Sequence, residues 1–331
     1  MQDFPVIDIS SFSQDTANAK KALARKVDQA CREIGFLAIG GHGVSQKIVS
    51  SLWNASTGFF DLSLEQKLRV AMRDIYLPYG YAPLQAEILA KSLGVETPPD
   101  LKESFSAGPL DRKFPAGVVL EDNAETAFRF AENLWPDQPI EFREAWSAYY
   151  RAMEKLAETI MRIFAVALDL PEDFFADKID RHISAMRVLN YPDLAMPPAS
   201  GQLRAGPHTD YGSVTILLTE QASGGLELYT SGQWREVPFV PGAFIVNIGD
   251  LLARWTNDRW VSTLHRVVCP PAEAKGSSRR QSIAFFHQPN WDAEISCVPT
   301  CLAPGARAKY PPVRSGPHLM EKFHRSLAAT Q

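Results

Sequence analysis

Between residues 141 and 170, apolar side chains recur at Met153, Leu156, Ala157, Ile160, Phe164, Ala167 and Leu168. That i, i+3, i+4, i+7 stripe predicts the longest helix of the chain, with one face packed on a core. Two further stretches carry helical spacing: residues 17 to 34 (Ala22, Leu23, Val27, Ala30, Cys31, Ile34) and residues 45 to 60. Gly35 ends the first of them. Ser63 stands three places before Gln66, a capping box that opens another helical turn. Elsewhere the period changes. FPVIDIS (Phe4 to Ser10) alternates as a short strand does, and FLAIGG (Phe36 to Gly41) reads as a buried strand closed by a glycine turn. Residues 74 to 120 are rich in Pro, Gly and Tyr and have little periodicity, which predicts a long wrapping loop with short elements.

After Pro171 the texture shifts. HISAMRVLNYP, SVTILLTE, GLELYT, QWREVPF, GAFIVNIGD, VSTLHRVV and RRQSIAFFHQ follow one another as short β-type runs. Turn residues separate them at the roughly 8–12-residue spacing of a sandwich or barrel. The expected fold is mainly β with flanking helices, built on a double-stranded β-helix (jelly roll, cupin-like) core of two facing sheets. A helix-and-loop region over residues 1–120 packs on a core at 121–331, which carries the covering helix at about 141–170 and a C-terminal helix. The 331 residues, 45% of them hydrophobic, suffice for one globular unit of this size.

Charge and cysteine usage narrow the function classes. The 34 basic residues are balanced by 38 acidic ones, for a net charge of −4, and no basic run or stripe occurs. That argues against nucleic acid and against an anionic membrane surface as partner. No apolar run approaches the ~20 residues of a membrane span. MQDFPVIDIS has no cationic segment leading into an apolar one, so no signal peptide is expected. Cys31, Cys269, Cys297 and Cys301 form no Cys-x-x-Cys and have no histidines at zinc-finger spacing. The expectation is a cytoplasmic protein, monomer or weak homodimer, acting on a small-molecule substrate.

Candidate chemistry centres on GPHTDYGSV (residues 206–214). In an extended chain, residues i and i+2 share a face, so His208 and Asp210 aim one imidazole and one carboxylate into one space while Thr209 faces away. Gly206-Pro207 would set the turn that aims His208 inward. His265, in STLHRVV, supplies a third ligand if its strand lies beside the first. Two histidines and one carboxylate leave three cis positions open, the arrangement of non-haem Fe(II) oxygenases. Taken singly, His208 also reads as a hydrogen-bonded turn residue and His265 as a satisfied core histidine. His182, His287, His318 and His324 have no such partners, and His42 in GGHGV reads as structural. In RRQSIAFF, Arg280 and Ser282 share a strand face, and a guanidinium beside a hydroxyl suits a carboxylate. Buried without an anion, such an arginine would be costly. Tyr191, in LNYPD, offers a phenolic donor from a neighbouring strand, whereas Arg279 reads as a surface residue.

Taken in order, these segments resemble the isopenicillin N synthase-like branch of the Fe(II)/2-oxoglutarate-dependent oxygenases almost end to end. FPVIDIS, REIGFLAIGGHGV, FFDLSLEQK and DLKESF match the N-terminal part. PHTDYGSVTILL, GGLELYTSGQW, VPGAFIVNIGDLLARWTND, STLHRVV and RRQSIAFF match the core. The resemblance implies Fe(II), 2-oxoglutarate and O2 as cofactor and cosubstrates, with succinate and CO2 released. It assigns iron binding to His208, Asp210 and His265, and the distal carboxylate of 2-oxoglutarate to Arg280, Ser282 and Tyr191. Gly41 stands where relatives carry Asn before His-Gly-Val. Leu189 stands where many carry Asn two places before the tyrosine, and Asn190 should face the other way. CPPAEAKGSS (residues 269–278) is longer than usual and reads as a surface insertion. Phe286 and Leu217, by inward parity relative to Ser282 and Asp210, are expected to line the substrate pocket. Tyr79, Tyr81 and Phe105 are candidates for a lid, and Tyr211 for either role. All could equally be core. The substrate class implied is a small organic metabolite of a specialised pathway, oxidised by hydroxylation, desaturation or ring formation. Two alternatives stay open at this point: an oxidase of the same fold that uses no 2-oxoglutarate, as isopenicillin N synthase and aminocyclopropane carboxylate oxidase do, and a non-catalytic binding module.

Overall fold

Helix starts follow their capping residues. Thr16 accepts from the Ala19 amide, Ser45 from Lys47, and Ser63 and Gln66 form the reciprocal capping box their spacing predicts. The computed structural model describes residues 4–12, 14, 16–74, 77–111, 123–193, 196–221, 225–271 and 276–328, with side chains to residue 323. In chain order the elements are β1 (Val6–Asp8), α1 (Ala17–Glu33), β2 (Phe36–Gly40), α2 (Gln46–Phe60), α3 (Leu64–Leu68), β3 (Gly80–Ala82), β4 (Glu103–Ala107), α4 (Ala124–Arg129), α5 (Phe142–Ala167) and α6 (Ala176–Ile179). There follow β5 (Ala185–Tyr191), β6 (Ala205–His208), β7 (Val214–Thr219), β8 (Leu226–Thr230), β9 (Gln233–Glu236), β10 (Phe244–Ile248), α7 (Asp250–Trp255), β11 (His265–Val267) and β12 (Arg280–His287). The chain closes with β13 (Glu294–Ile295), β14 (Val313–Arg314) and α8 (Ser315–Ala328).

Two sheets make the expected jelly roll. The larger has the order β1-β2-β10-β7-β12-β5-β4-β3 and the smaller β6-β11-β8-β9. Helix α5 packs against α1 and α2 on one side and against β7 and β12 on the other. Its apolar stripe, from Met153 through Phe164, is buried in the main core. No helix among the described residues is long and apolar enough to cross a membrane.

The stretch expected as a wrapping loop departs from that reading. Residues 75, 76 and 112–120 of it lie outside the described residues, but its middle supplies β3 and β4, which extend the larger sheet beyond β5. Periodicity missed β4 because all five residues of ESFSA are buried, leaving no polar-out alternation to read. Its one charge is neutralised internally: the Glu103 carboxylate accepts from Lys67 at 2.8 Å, from the Tyr81 hydroxyl at 2.5 Å and from Asn190 at 2.8 Å. A 3-10 turn over Leu89–Leu93 sits between β6 and α8 and joins the helix to the mouth of the jelly roll. Gly41, in place of the relatives' Asn, has φ +65°, a region that Gly and Asn both tolerate, and a Cβ there would lie 2.2 Å from Asp8 Oδ1.

Candidate functional site

Strand register brings the metal-binding candidates together. β11 runs antiparallel to β6 with His265 directly opposite His208, and their ring centroids are 4.3 Å apart. Asp210 lies just beyond β6, and its Oδ1 is 3.8 Å from His265 Nε2. One ligand atom from each of His208, Asp210 and His265 falls within 4.8 Å of the others. Gly206-Pro207 makes no turn: both residues lie in the extended β6, and the Gly206 amide donates to Asp100 Oδ1 at 2.9 Å. The strand itself aims His208 inward.

Hydrogen bonds prepare each of the three side chains for a metal. His208 Nδ1 donates to the Gly206 carbonyl at 2.8 Å and His265 Nδ1 to the Thr263 carbonyl at 3.0 Å, so each ring presents Nε2 as its lone-pair nitrogen. Asp210 Oδ2 accepts from Thr215 at 2.5 Å and from Asn247 at 2.7 Å, which leaves Oδ1 for the metal. Burial, then the neighbouring His265, pushes His208 well below the ordinary histidine range. Burial alone would raise Asp210, but His265, His208 and the two hydrogen bonds outweigh it and hold the carboxyl below its usual value. A neutral imidazole at His208 and an ionised carboxylate at Asp210 are the protonation states a divalent metal requires of them. The donor set therefore fits iron. Sequence reasoning missed Thr215 and Asn247, although Asn247 stands out as one polar residue in the apolar run FIVNIGD.

The carboxylate-receptor candidates also meet. Arg280 on β12 and Tyr191 on β5 are register partners, and the guanidinium carbon lies 5.1 Å from the ring centroid. Ser282, two places along, is buried on the same strand. Arg280 is 3% exposed and its Nη1 has no hydrogen-bond partner. A buried guanidinium nitrogen without a partner is costly, so this orphan fits the distal carboxylate of 2-oxoglutarate. Asn190 faces away from it, as expected, between Glu103 and Arg279. Arg279 is only half exposed and pairs with Asp61 at 2.6 Å.

Next to His208 and Asp210 opens a largely apolar cavity. Tyr79, Tyr211, Phe286, Leu89, Phe128, Met186, Leu189, Leu319 and Phe323 contribute to its wall. Of the pocket candidates, Tyr79, Tyr211 and Phe286 are there and the other three are not. Leu217 packs against the cluster of Tyr191, Leu228 and Ile245 inside the jelly roll. The non-strand segment between Asp210 and β7 breaks the parity count that placed Leu217 in the pocket. Tyr81 and Phe105 sit in an aromatic core with Phe59, Phe142 and Trp146, at centroid separations of 5.0–5.9 Å; pairing of β3 with β4 turns them away from the cavity. Thr209, expected to face away from the metal, also lines the cavity. Tyr211 meets Phe323 edge-on at 5.7 Å.

One wall of the cavity is polar, and sequence reasoning did not find it. Lys102 and Arg187 line it, and both are paired: Lys102 with Asp100 at 2.6 Å and Glu87 at 3.2 Å, Arg187 with Glu87 at 3.0 Å. Burial would raise Glu87, but Arg187 and Lys102 hold it down at about 2. Gln288 adds a buried Oε1 with no hydrogen-bond partner.

Comparison with known proteins decides the family. Residues 4–138 match the model of the non-haem dioxygenase in morphine synthesis N-terminal region, and residues 183–289 match that of the 2OG-Fe(II) oxygenase superfamily. A 2-oxoglutarate-Fe(II) type oxidoreductase, hxnY, of Emericella nidulans is 33% identical, with 93% of this chain and 86% of that protein covered. The chain is a 2-oxoglutarate-Fe(II) oxygenase. Validamycin A dioxygenase of Streptomyces hygroscopicus subsp. limoneus is another such relative, 32% identical over 96% of this chain and 85% of its own length. A full-length Neurospora crassa protein crystallised with alpha-KG and thymine superposes with a TM-score of 0.83 at 29% identity, covering 99% of this chain and 97% of that one. Like other 2-oxoglutarate-Fe(II) oxygenases, this one is an oxidoreductase that depends on Fe(II), 2-oxoglutarate and O2. The readings as a 2-oxoglutarate-independent oxidase and as a binding module are thereby set aside.

Proposed function

We propose that this oxygenase oxidises a small, mostly apolar organic molecule bearing a hydrogen-bond donor, bound between Phe286, Tyr79 and Tyr211. In this reading His208, Asp210 and His265 hold the iron, and Arg280, Ser282 and Tyr191 hold the distal carboxylate of 2-oxoglutarate. The observation that carries it is the three-ligand cluster at the foot of an apolar cavity, with an unpartnered Arg280 nitrogen buried in the same jelly roll. When bound, the iron couples decarboxylation of 2-oxoglutarate, to succinate and CO2, with oxidation of a substrate C–H bond by O2. The chain's own residues orient and seclude the reactants. Arg280 fixes one end of the cosubstrate, so its keto acid end meets the metal in one pose. Leu189, Met186 and Phe286 exclude water from the reacting carbon. Gln288 Oε1 accepts from the substrate, and the Lys102–Asp100–Glu87–Arg187 wall, two cations against two carboxylates, adds further polar contacts without a net charge. Thymine, bound by the Neurospora relative, and validamycin A, named for the Streptomyces one, are both small organic molecules and support this size class. The four free cysteines suit the reducing cytoplasm.

The test is succinate release from labelled 2-oxoglutarate, with Fe(II) under air, over a panel of small ring compounds with and without an N–H or O–H donor. Donor-bearing members should stimulate turnover, and Gln288→Leu should abolish their advantage over donor-free analogues. Equal stimulation by both groups, unaffected by Gln288→Leu, overturns the substrate reading.

A further inference from the structure

A second buried guanidinium lies against the Tyr191 ring, beside that of Arg280. Arg204 is fully buried, four places before His208. Arg204 sits in the bend that leads directly into β6, the strand that ends at His208. Its guanidinium carbon lies 5.7 Å from the Tyr191 ring centroid, and that of Arg280 lies 5.1 Å from the same ring. One tyrosine ring thus has two guanidiniums against it, one from β12 and one from the bend before β6. Arg204 also donates from Nη2 to the Ser278 carbonyl, on the segment leading into β12. The two cations disfavour each other: burial first, then the charge of Arg280, pull Arg204 below the ordinary arginine range. Asp193 offsets only part of this repulsion, which an anion held near both guanidiniums would relieve further.

We infer that Arg204 is a positioning residue for 2-oxoglutarate, which adds its charge to the distal carboxylate and steadies the Tyr191 ring opposite Arg280. The receptor is then a clamp of two arginines, one on β12 and one just before β6, closed by the dicarboxylate itself. This rests on the assignment of Arg280 to that carboxylate.

The experiment compares two ligands on the full-length protein loaded with Mn(II): 2-oxoglutarate, and 2-oxopentanoate, which keeps the keto acid head and chain length but lacks the distal carboxylate. Affinities are read by calorimetry, so the outcome does not depend on turnover. Arg204→Met should weaken 2-oxoglutarate by about 10- to 100-fold, the range of a charge-assisted contact. It should leave 2-oxopentanoate within about twofold and Mn(II) affinity unchanged, because neither senses the lost charge. Arg204→Lys, which keeps the charge and loses the fork, should recover part of the loss and serves as the test if the methionine variant does not fold. Unchanged 2-oxoglutarate affinity, or equal weakening of both ligands, overturns the inference. Arg280→Met is measured alongside. Should it also fail to discriminate the ligands, the assignment of the pocket falls; should it alone discriminate, only the role of Arg204 falls.

Discussion

Asp210 divides its two oxygens between two tasks: Oδ2 is held by Thr215 and Asn247, and Oδ1 is left toward His265. Groups that orient a ligand are felt in metal affinity, so Asn247→Leu should weaken Fe(II) or Mn(II) binding by about 10- to 100-fold. Asp210→Ala should abolish it, both measured by anaerobic equilibrium dialysis. Arg280→Ala should leave metal binding nearly intact and raise the 2-oxoglutarate requirement steeply, as read from initial rates against cosubstrate concentration. At this scale the sequence was legible where a motif has fixed spacing. His208, Asp210, His265, Arg280 and Tyr191 announce themselves by strand parity and by resemblance. Lys102, Glu87 and Arg187 do not, because they become neighbours only when β4 and β5 pair and the segment between β3 and β4, which carries Glu87, folds over them. No spacing in the chain encodes that.

Elements hold the Asp210 segment from both sides. The Gly249 amide donates to the Ser213 carbonyl, and the Asp250 amide to the Asp210 carbonyl. A Cβ on Gly249 would stand 2.2 Å from the Gly212 carbonyl oxygen and 3.1 Å from that of Asp210. Gly249→Ala should therefore push α7 off the loop, lowering stability by about 1–3 kcal/mol and metal affinity with it, as denaturant melts and metal titrations would show. On the opposite side, Ser213 Oγ bonds His287 at the end of β12, 2.8 Å from Nδ1. Burial, then the adjacent His182, lowers His287 from 6.5 to about 3. The unfolded chain takes up a proton in that window and the native chain refuses it. This contribution to stability is thus complete above pH 6.5 and is lost as pH falls toward 3. In urea midpoints measured from pH 7 down to 4, His287→Asn should flatten the decline relative to the unsubstituted protein. The helices were readable by their one apolar face, and the strands after Pro171 by β-rich runs set between turn residues, even where, as in β10, every residue is buried. β4, whose ESFSA has Phe105 as its one aromatic or β-branched residue, offered neither an alternation nor a β-rich run, and it vanished into an apparent loop.

On the scale of the whole molecule, the core and the cavity use aromatic residues for different ends. Phe105 packs on Phe59, Phe142 and Trp146, so Phe105→Ala should cost about 3–5 kcal/mol in a thermal or denaturant melt without altering the affinity for 2-oxoglutarate. Phe286→Ala should do the reverse for substrate-stimulated turnover, with a smaller loss of stability. Composition could not separate these two populations, since both are aromatic residues of the same chain. The separation comes from which strand neighbours which.

The cavity wall has mixed origins. Met186, Leu189 and Phe286 belong to strands, but Tyr79, Leu89, Phe128, Leu319 and Phe323 lie on connecting segments and short helices that give no rung to either sheet. Those five positions can therefore vary without breaking a ladder or moving the three metal-binding side chains. A lineage built on this scaffold can exchange one substrate for another while inheriting its oxidative chemistry intact, and a laboratory library confined to those five positions explores new substrates while leaving both sheets in place, its stability cost falling on the small cluster of Phe128, Leu319 and Trp291.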